Sequence, residues 1–336
     1  MNSFGRIFRL TIFGESHGES VGINIDGCPA GLPLKVEDFL EDIERRKGGT
    51  QKGTTPRKED DLPIFKSGVF NDVTTGAPLT ILFENNNTRS TDYAKQRAVP
   101  RPGHADLVAR QKFGGFEDYR GGGHFSGRLT VALVAAGVVA KKILKQFNSG
   151  INVAATITEI GGEKDVEAGL KKAIEAKDSV GGVVECKVDG LPAGLGEPFF
   201  DSVESVISHA VFAIPAVRGV EFGTGFAAAR MFGTQHNDAI ENSSGKTLTN
   251  HAGGVVGGIS NGNQFVFRIA IKPTSSTPKE QNTLNLETNS MQPFSVKGRH
   301  DLCIALRVPV VLEAVTAFVL ADLMMLERHI PRIFTR

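Results

Sequence analysis

The apolar positions of this chain change period several times, and each change marks an element. Residues 6–13 and 21–26 alternate in the manner of strands, and both runs end in Gly-rich turns. Val36, Phe39, Leu40 and Ile43 then recur at helical spacing, and Arg45, Arg46 and Lys47 follow before Gly48 and Gly49. Cations in the last turn suit the negative end of a helix, and glycine suits the position after it. Leu129 to about Phe147 is apolar on nearly every side, which predicts a buried core helix with Ser126 as its cap. Asp165 to Lys177 reads as an amphipathic helix on Val166, Leu170, Ala173 and Ile174. Arg218–Phe222 and Gln264–Ile271 read as strands, the latter alternating Phe265, Phe267, Ile269 and Ile271. A last helix runs from about Pro309 to Arg328, with proline at the first helical position. Residues 233–263 show no period and are rich in Gly, Asn and Ser, which predicts a long loop, functional or disordered.

One pattern occurs twice. Residues 21–39 give a strand, then Asp-Gly-x-Pro-Ala-Gly-Leu, then a helix. Residues 183–203 give the same series about half the chain later. In the second copy Asp201 and Glu204 suggest a capping box. The repeat predicts two related halves, related by a pseudo-twofold rotation. No linker or low-complexity segment divides the 336 residues, so one domain spanning 1–336 is expected.

Charge and cysteine content narrow the class. The formal net charge is +1, so no global field recruits nucleic acid or a membrane. Cys28, Cys186 and Cys303 are odd in number and far apart, which fits a reduced cytoplasm and gives no zinc spacing. No basic start followed by an apolar run suggests a signal peptide, and Leu129–Ala140 is too short to span a bilayer.

Chemistry-bearing residues gather in short stretches. Arginines stand at 97, 101, 110, 120 and 128, around His104, His124 and the triple glycine 121–123. Glycine lets backbone approach a ligand, and arginine offers a permanent fork for phosphate or carboxylate. The first strand ends at Gly14-Glu15-Ser16-His17-Gly18, where His17 is either a general acid–base group or a structural histidine. Arg45 and Arg46 either end a helix or, with Lys52, Arg57 and Lys58, line a loop that closes over phosphate. Lys272-Pro273-Thr274-Ser275-Ser276 is a phosphate collar or a solvated turn. On these residues alone, a binder of phosphorylated ligands or RNA and a metal hydrolase on His17, His104 and His124 are alternatives. RNA binding wants exposed aromatics, yet the only tyrosines are Tyr93 and Tyr119. The histidine spacing matches no ligand motif.

Taken together, the stretches resemble the chorismate synthase family over nearly the whole chain. The carriers are Phe13-Gly14-Glu15-Ser16-His17-Gly18, Arg45-Arg46, Arg101-Pro102-Gly103-His104-Ala105-Asp106, Tyr119-Arg120-Gly121-Gly122-Gly123 and Gly194-Leu195-Gly196-Glu197-Pro198, followed by 250–260, 272–276 and Gly298-Arg299-His300-Asp301. The resemblance implies an α+β fold, a β-α-β sandwich with helices packed between two antiparallel sheets, assembled as a homotetramer. It implies a lyase that eliminates phosphate and a C6 hydrogen from 5-enolpyruvylshikimate 3-phosphate in a trans-1,4 sense, giving chorismate. Reduced FMN is needed without net redox change; electron density lent to the substrate would weaken the allylic C–O bond. With no reductase domain in the chain, a separate flavin reductase is expected, and NADPH enters only indirectly.

By motif, the resemblance makes His17 the acid that protonates the departing phosphate, His104 the partner of the flavin's N1/O2 edge and Asp301 a proton acceptor near N5. Flavin contacts map to His124, Phe125, Ser126, Pro215, Ala216, Gly257, Lys272, Pro273, Thr274, Ser275, Ser276 and Arg299, and NADP-linked positions to Arg46 and Lys52. Arg46, Arg101 and Arg128 would hold substrate anions. The chain departs from the family at His124-Phe125, where Arg-Ser is common, at Leu129, where a glutamate is common, and at Lys52, where arginine is common.

Overall fold

The computed structural model describes residues 1–49, 53–55, 59–86, 97–296 and 300–334. The strands, in chain order, are β1 Ser3–Phe4, β2 Arg9–Gly14, β3 Ser20–Asp26, β4 Ile64–Ser67, β5 Val69–Phe70, β6 Val73–Thr74, β7 Leu79–Glu84, β8 Asn152–Ile160, β9 Gly182–Asp189, β10 Val217–Phe222, β11 Val255–Val256, β12 Ile259–Ser260, β13 Phe265–Ile271, β14 Gln281–Asn285 and β15 Ser290–Phe294. The α-helices are α1 Glu37–Arg46, α2 Asp106–Lys112, α3 Thr130–Phe147, α4 Val166–Ala176, α5 Val203–Val211, α6 Gly233–His236 and α7 Val308–Leu326.

Two sheets carry the architecture, ordered β1-β2-β3-β7-β4 and β10-β13-β9-β8. Every neighbouring pair in them is antiparallel. Between them lie α3 and α7, which pack on each other; α3 also meets β2, β3 and β7, and α7 meets β8 and β9. This is the expected α+β sandwich. Neither central helix has a polar face. Val131 to Ala140 of α3 and Val310 to Met325 of α7 are buried throughout, as a helix with sheet on one side and helix on the other must be. The stretch Ile304–Leu326 is long and apolar enough to cross a membrane, yet it is mostly buried within this fold.

The repeated unit is legible in the topology. β3 and β9 occupy interior positions of their respective sheets. Each is followed by a helix that packs on a central one, α1 on α3 and α5 on α7. The alternation of β13 is also as expected: Phe265, Phe267, Ile269 and Ile271 are all buried.

Three local expectations are corrected. The cap of α5 is Ser202, whose hydroxyl accepts the Ser205 N–H at 3.1 Å. Asp201 is instead paired with Arg6, and Glu204 forms no capping box. Leu40 is 42% exposed, so the buried stripe of α1 runs through Phe39, Ile43 and Arg46. Residues 233–263 are structured: they contain α6 and the hairpin of β11 and β12. Asp238 pins this stretch by accepting from Thr249 Oγ1 and from the His251 and Ala252 N–H groups at 2.6–2.9 Å.

The contact of α3 with α7 is closest at Gly137. A Cβ there would stand 2.2 Å from Ala314 Cβ, so a side chain would force the helices apart. Gly137→Val is expected to lower the unfolding free energy by at least about 2 kcal/mol, read from the urea midpoint; an unchanged midpoint would contradict this close packing.

Candidate active site

β2 delivers the chain to Glu15–Gly18, and the triple glycine closes over it. The Ser16 N–H donates to Gly123 O at 3.1 Å. Gly121, Gly122 and Gly123 have φ of 60°, 83° and 53°, in the left-handed region that suits glycine. A Cβ on Gly121 would lie 2.2 Å from the His17 ring, so glycine is what lets the backbone lie against the imidazole. His17 is 7% exposed, with Nδ1 3.3 Å from Ser16 Oγ. After the glycines, Ser126 accepts the Arg128 N–H and caps the short 3-10 turn leading into α3.

The second group is built on the loop before α2. Arg101 grips Asp106 with two parallel bonds, Nε to Oδ2 and Nη2 to Oδ1, each 2.8 Å, and its Nη1 donates to Ser276 Oγ at 3.1 Å. His104 Nδ1 lies 2.5 Å from Asp106 Oδ1 and 3.0 Å from Arg101 Nη2. The carboxylate only accepts and is the nearer of the two partners, so it assigns the proton to Nδ1 and leaves Nε2, beside Gly122, for a ligand. Burial opposes the Asp106 charge, but hydrogen bonds from Arg101 and His104 outweigh it and hold the carboxyl well below its usual range. The same loop is latched to the end of β13. Lys272 Nζ and Ser275 Oγ both donate to Gly103 O, at 2.6 and 2.8 Å. Burial, then the nearby charge of Arg218, lowers the Lys272 pKa.

The third group is a buried charge cluster. Asp61 accepts from Arg46 Nη2 at 2.8 Å on one oxygen and from Arg128 Nη1 on the other. Arg128 also donates to Asn85 Oδ1 at 2.9 Å and Glu84 O at 3.2 Å. Arg307 donates to Arg46 O at 2.8 Å and to Asp301 Oδ2 at 3.0 Å; the other Asp301 oxygen accepts the Thr55 N–H at 2.8 Å. Burial, reinforced by Arg307, brings the Arg46 pKa down to about 10. Burial works against the Asp61 charge, but Arg46 and Arg128 prevail and lower its pKa.

All three groups line one cleft of about 700 Å³. Of the candidates from sequence, His17, His104, Asp301, Arg46, Arg101, Arg128, Phe125, Ser126, Pro215, Ala216 and Lys272 to Ser276 line it. His124 does not. Its Nδ1 is 2.8 Å from Gly14 O, and its ring lines two neighbouring cavities. Gly257 sits in the turn between β11 and β12, away from the cleft. Lys52 and Arg299 lie outside the described residues, as do Arg57 and Lys58. Among the lining residues with no site role assigned from sequence are Asp61, Arg218, His300 and Arg307. Asp106, which sets His104, was also given no role from sequence; it lines a neighbouring cavity. Burial, then Arg101, lowers the His300 pKa and favours its neutral form.

Seven lysines and arginines face three carboxylates in the cleft lining, so it suits a ligand with several negative charges. Apolar groups from Ile214, Pro215, Ala216, Phe125, Val308 and Val311 supply surface for a flat ring. Ala216 has φ 75°, an unusual conformation for a residue with Cβ. Among the described residues no cluster of three or more His, Cys, Asp or Glu is placed to hold a metal ion.

A family model described as chorismate synthase matches residues 8–325. A chorismate synthase from Chitinophaga pinensis is 73% identical over 334 residues, covering 99% of each chain. One from Dehalococcoides mccartyi is 44% identical over 361 aligned positions, again covering 99% of each. A solved structure, "Crystal Structure of Chorismate Synthase", superposes with a TM-score of 0.74 at 26% identity, covering 96% of this chain and 93% of the other.

Asp61 and Asp106 carry a pH dependence. Their folded pKa values lie below the ordinary 3.8, so their contribution to stability is whole above that value and drains away as pH falls through the lower folded values. Unfolding free energy is expected to decline from about pH 5 downward, and Asp106→Asn to flatten that decline. Equilibrium urea titrations across pH 7 to 2 check it; equal slopes for wild type and variant would count against the assignment.

Proposed function

Since the chain belongs to the chorismate synthase family, we infer that its cleft carries out the family's lyase step, converting 5-enolpyruvylshikimate 3-phosphate to chorismate. The C3–O bond breaks and phosphate departs, hydrogen is lost from C6, and the ring gains a double bond. The observation that carries this reading is the cleft itself: two histidines, His17 and His104, stand in a wall of guanidinium groups.

The residues present fit reduced FMN. A flat isoalloxazine wants apolar contact, which Pro215, Ala216 and Phe125 offer, and its phosphate tail wants cations and hydroxyls, which Lys272 and Thr274 to Ser276 offer. When bound, the reduced flavin lends electron density that weakens the allylic C–O bond. The chain's own residues do the rest. His17 gives a proton to the departing phosphate, relieving charge as it develops. Asp106 fixes the tautomer of His104, so that Nε2 faces the ligand. Asp301 helps to take up the C6 proton. Arg46, Arg101 and Arg128 hold the substrate's anionic groups, although much of the Arg101 fork is already committed to Asp106.

Residues 1–336 form one domain, because a single apolar core joins both sheets. The protein acts in the cytoplasm as a homotetramer. Exposed Phe199, Phe200, Phe226, Phe232, Ile240 and Leu248 support burial against further copies. Gly257, remote from the cleft of its own chain, would meet flavin only in such an assembly. Reduced flavin comes from a separate reductase, and NADPH serves that reductase. Arg299 and Lys52 keep their proposed ligand contacts, and His124 acts through Gly14 rather than on the flavin directly. A phosphate binder without chemistry is the weaker reading, because it gives His17 and His104 nothing to do.

His17→Ala and His104→Ala are each expected to slow anaerobic turnover with reduced FMN by about 10²-fold or more, with the circular dichroism spectrum unchanged. A near-normal rate in either variant removes that histidine from the mechanism. Absence of phosphate release by wild type would overturn the reading as a whole.

A further inference from the structure

We propose that Asp61 is a positioning residue for the substrate: its one carboxylate sets the spacing of Arg46 and Arg128, so that an incoming phosphate meets a preformed pair of guanidinium groups. The proposal rests on the lyase reading of this cleft and assigns a role to a residue that never needs to touch the reacting atoms.

Asp61 is 2% exposed, and its side chain is enclosed by its two partners. It occupies the left-handed region at φ 51°, a conformation that aspartate tolerates better than most residues. Each oxygen serves a different arginine, so the carboxylate acts as a spacer and not as a partner to one charge. The two arginines come from distant places, the end of α1 and the turn before α3, and Asp61 is the group that ties them.

Among the described residues, three cations of this cluster, Arg46, Arg128 and Arg307, are ion-paired with two carboxylates, Asp61 and Asp301; the cleft lining also holds Glu59. Among the described residues, Arg46 Nε is buried and has no hydrogen-bond partner. A buried donor without an acceptor is costly, and a ligand oxygen supplies what is missing. Without Asp61 the three guanidinium groups would face one carboxylate, and mutual repulsion would drive them from the geometry a phosphate needs. The carboxylate therefore strengthens anion binding although its own charge is negative.

Asp61→Asn tests this, because it keeps the shape and removes the charge. Anaerobic kinetics with reduced FMN should show KM for the phosphorylated substrate raised at least about tenfold, with kcat changed much less. Calorimetric titration with inorganic phosphate should show binding weakened by a similar factor. A folded Asp61→Asn with wild-type KM and wild-type phosphate affinity overturns the proposal. If that variant does not fold, Arg46→Lys, Arg128→Lys and the double variant retain the ion pairs with Asp61. Positioning as a unit predicts that the double variant raises KM by clearly less than the product of the single effects. Effects that simply multiply would show two separate anchors and overturn it. Failure of wild-type turnover, with phosphate binding still dependent on Asp61, would sink the lyase reading and leave the anion site standing.

Discussion

A charge that must meet a polyanion cannot be buried alone, and this constraint shapes the whole cleft. Arg46, Arg101 and Arg128 are each no more than 7% exposed. Removing such groups from water costs several kcal/mol apiece unless a carboxylate compensates. Each therefore has one: Asp61 for Arg46 and Arg128, Asp106 for Arg101. The compensation is partial by design of the geometry, since full neutrality would leave nothing to attract a ligand. The surrounding fold brings these pairs together from the ends and flanks of its helices.

The same pairing solves an orientation problem. A free arginine has many rotamers, and a histidine has two tautomers and two ring flips. Asp106 removes these choices for Arg101 and His104 together, because its two oxygens are shared between them. Glu313 does a comparable service on the far side of α1. It receives Arg45 and Lys141, so the adjacent residues Arg45 and Arg46 point to different networks. The cations at the end of α1 thus answer both sequence readings: Arg45 belongs to structure and Arg46 to the cleft.

Elements with sustained period were legible in the sequence. The alternation of 264–271, the apolar run after Ser126 and the last helix all formed within a few residues of expectation. The glycine strings were legible too, because a triple glycine against His17 is a local necessity. What was not legible depends on chance meetings of distant positions. Asp61 lies 15 residues from Arg46 and 67 from Arg128, and no spacing rule selects it from its neighbours Glu59 and Asp60. The Asp201 cap was lost because Arg6, 195 residues away, took its carboxylate. His124 sits in the right string but turns to Gly14, a choice made by backbone 110 residues earlier.

The latch of Lys272 and Ser275 on Gly103 has a wider meaning. It fastens the end of β13 to the loop before α2, so the cleft is assembled from segments far apart in the chain. Completing the cleft is therefore an act of long-range closure, joining positions 169 residues apart in the chain.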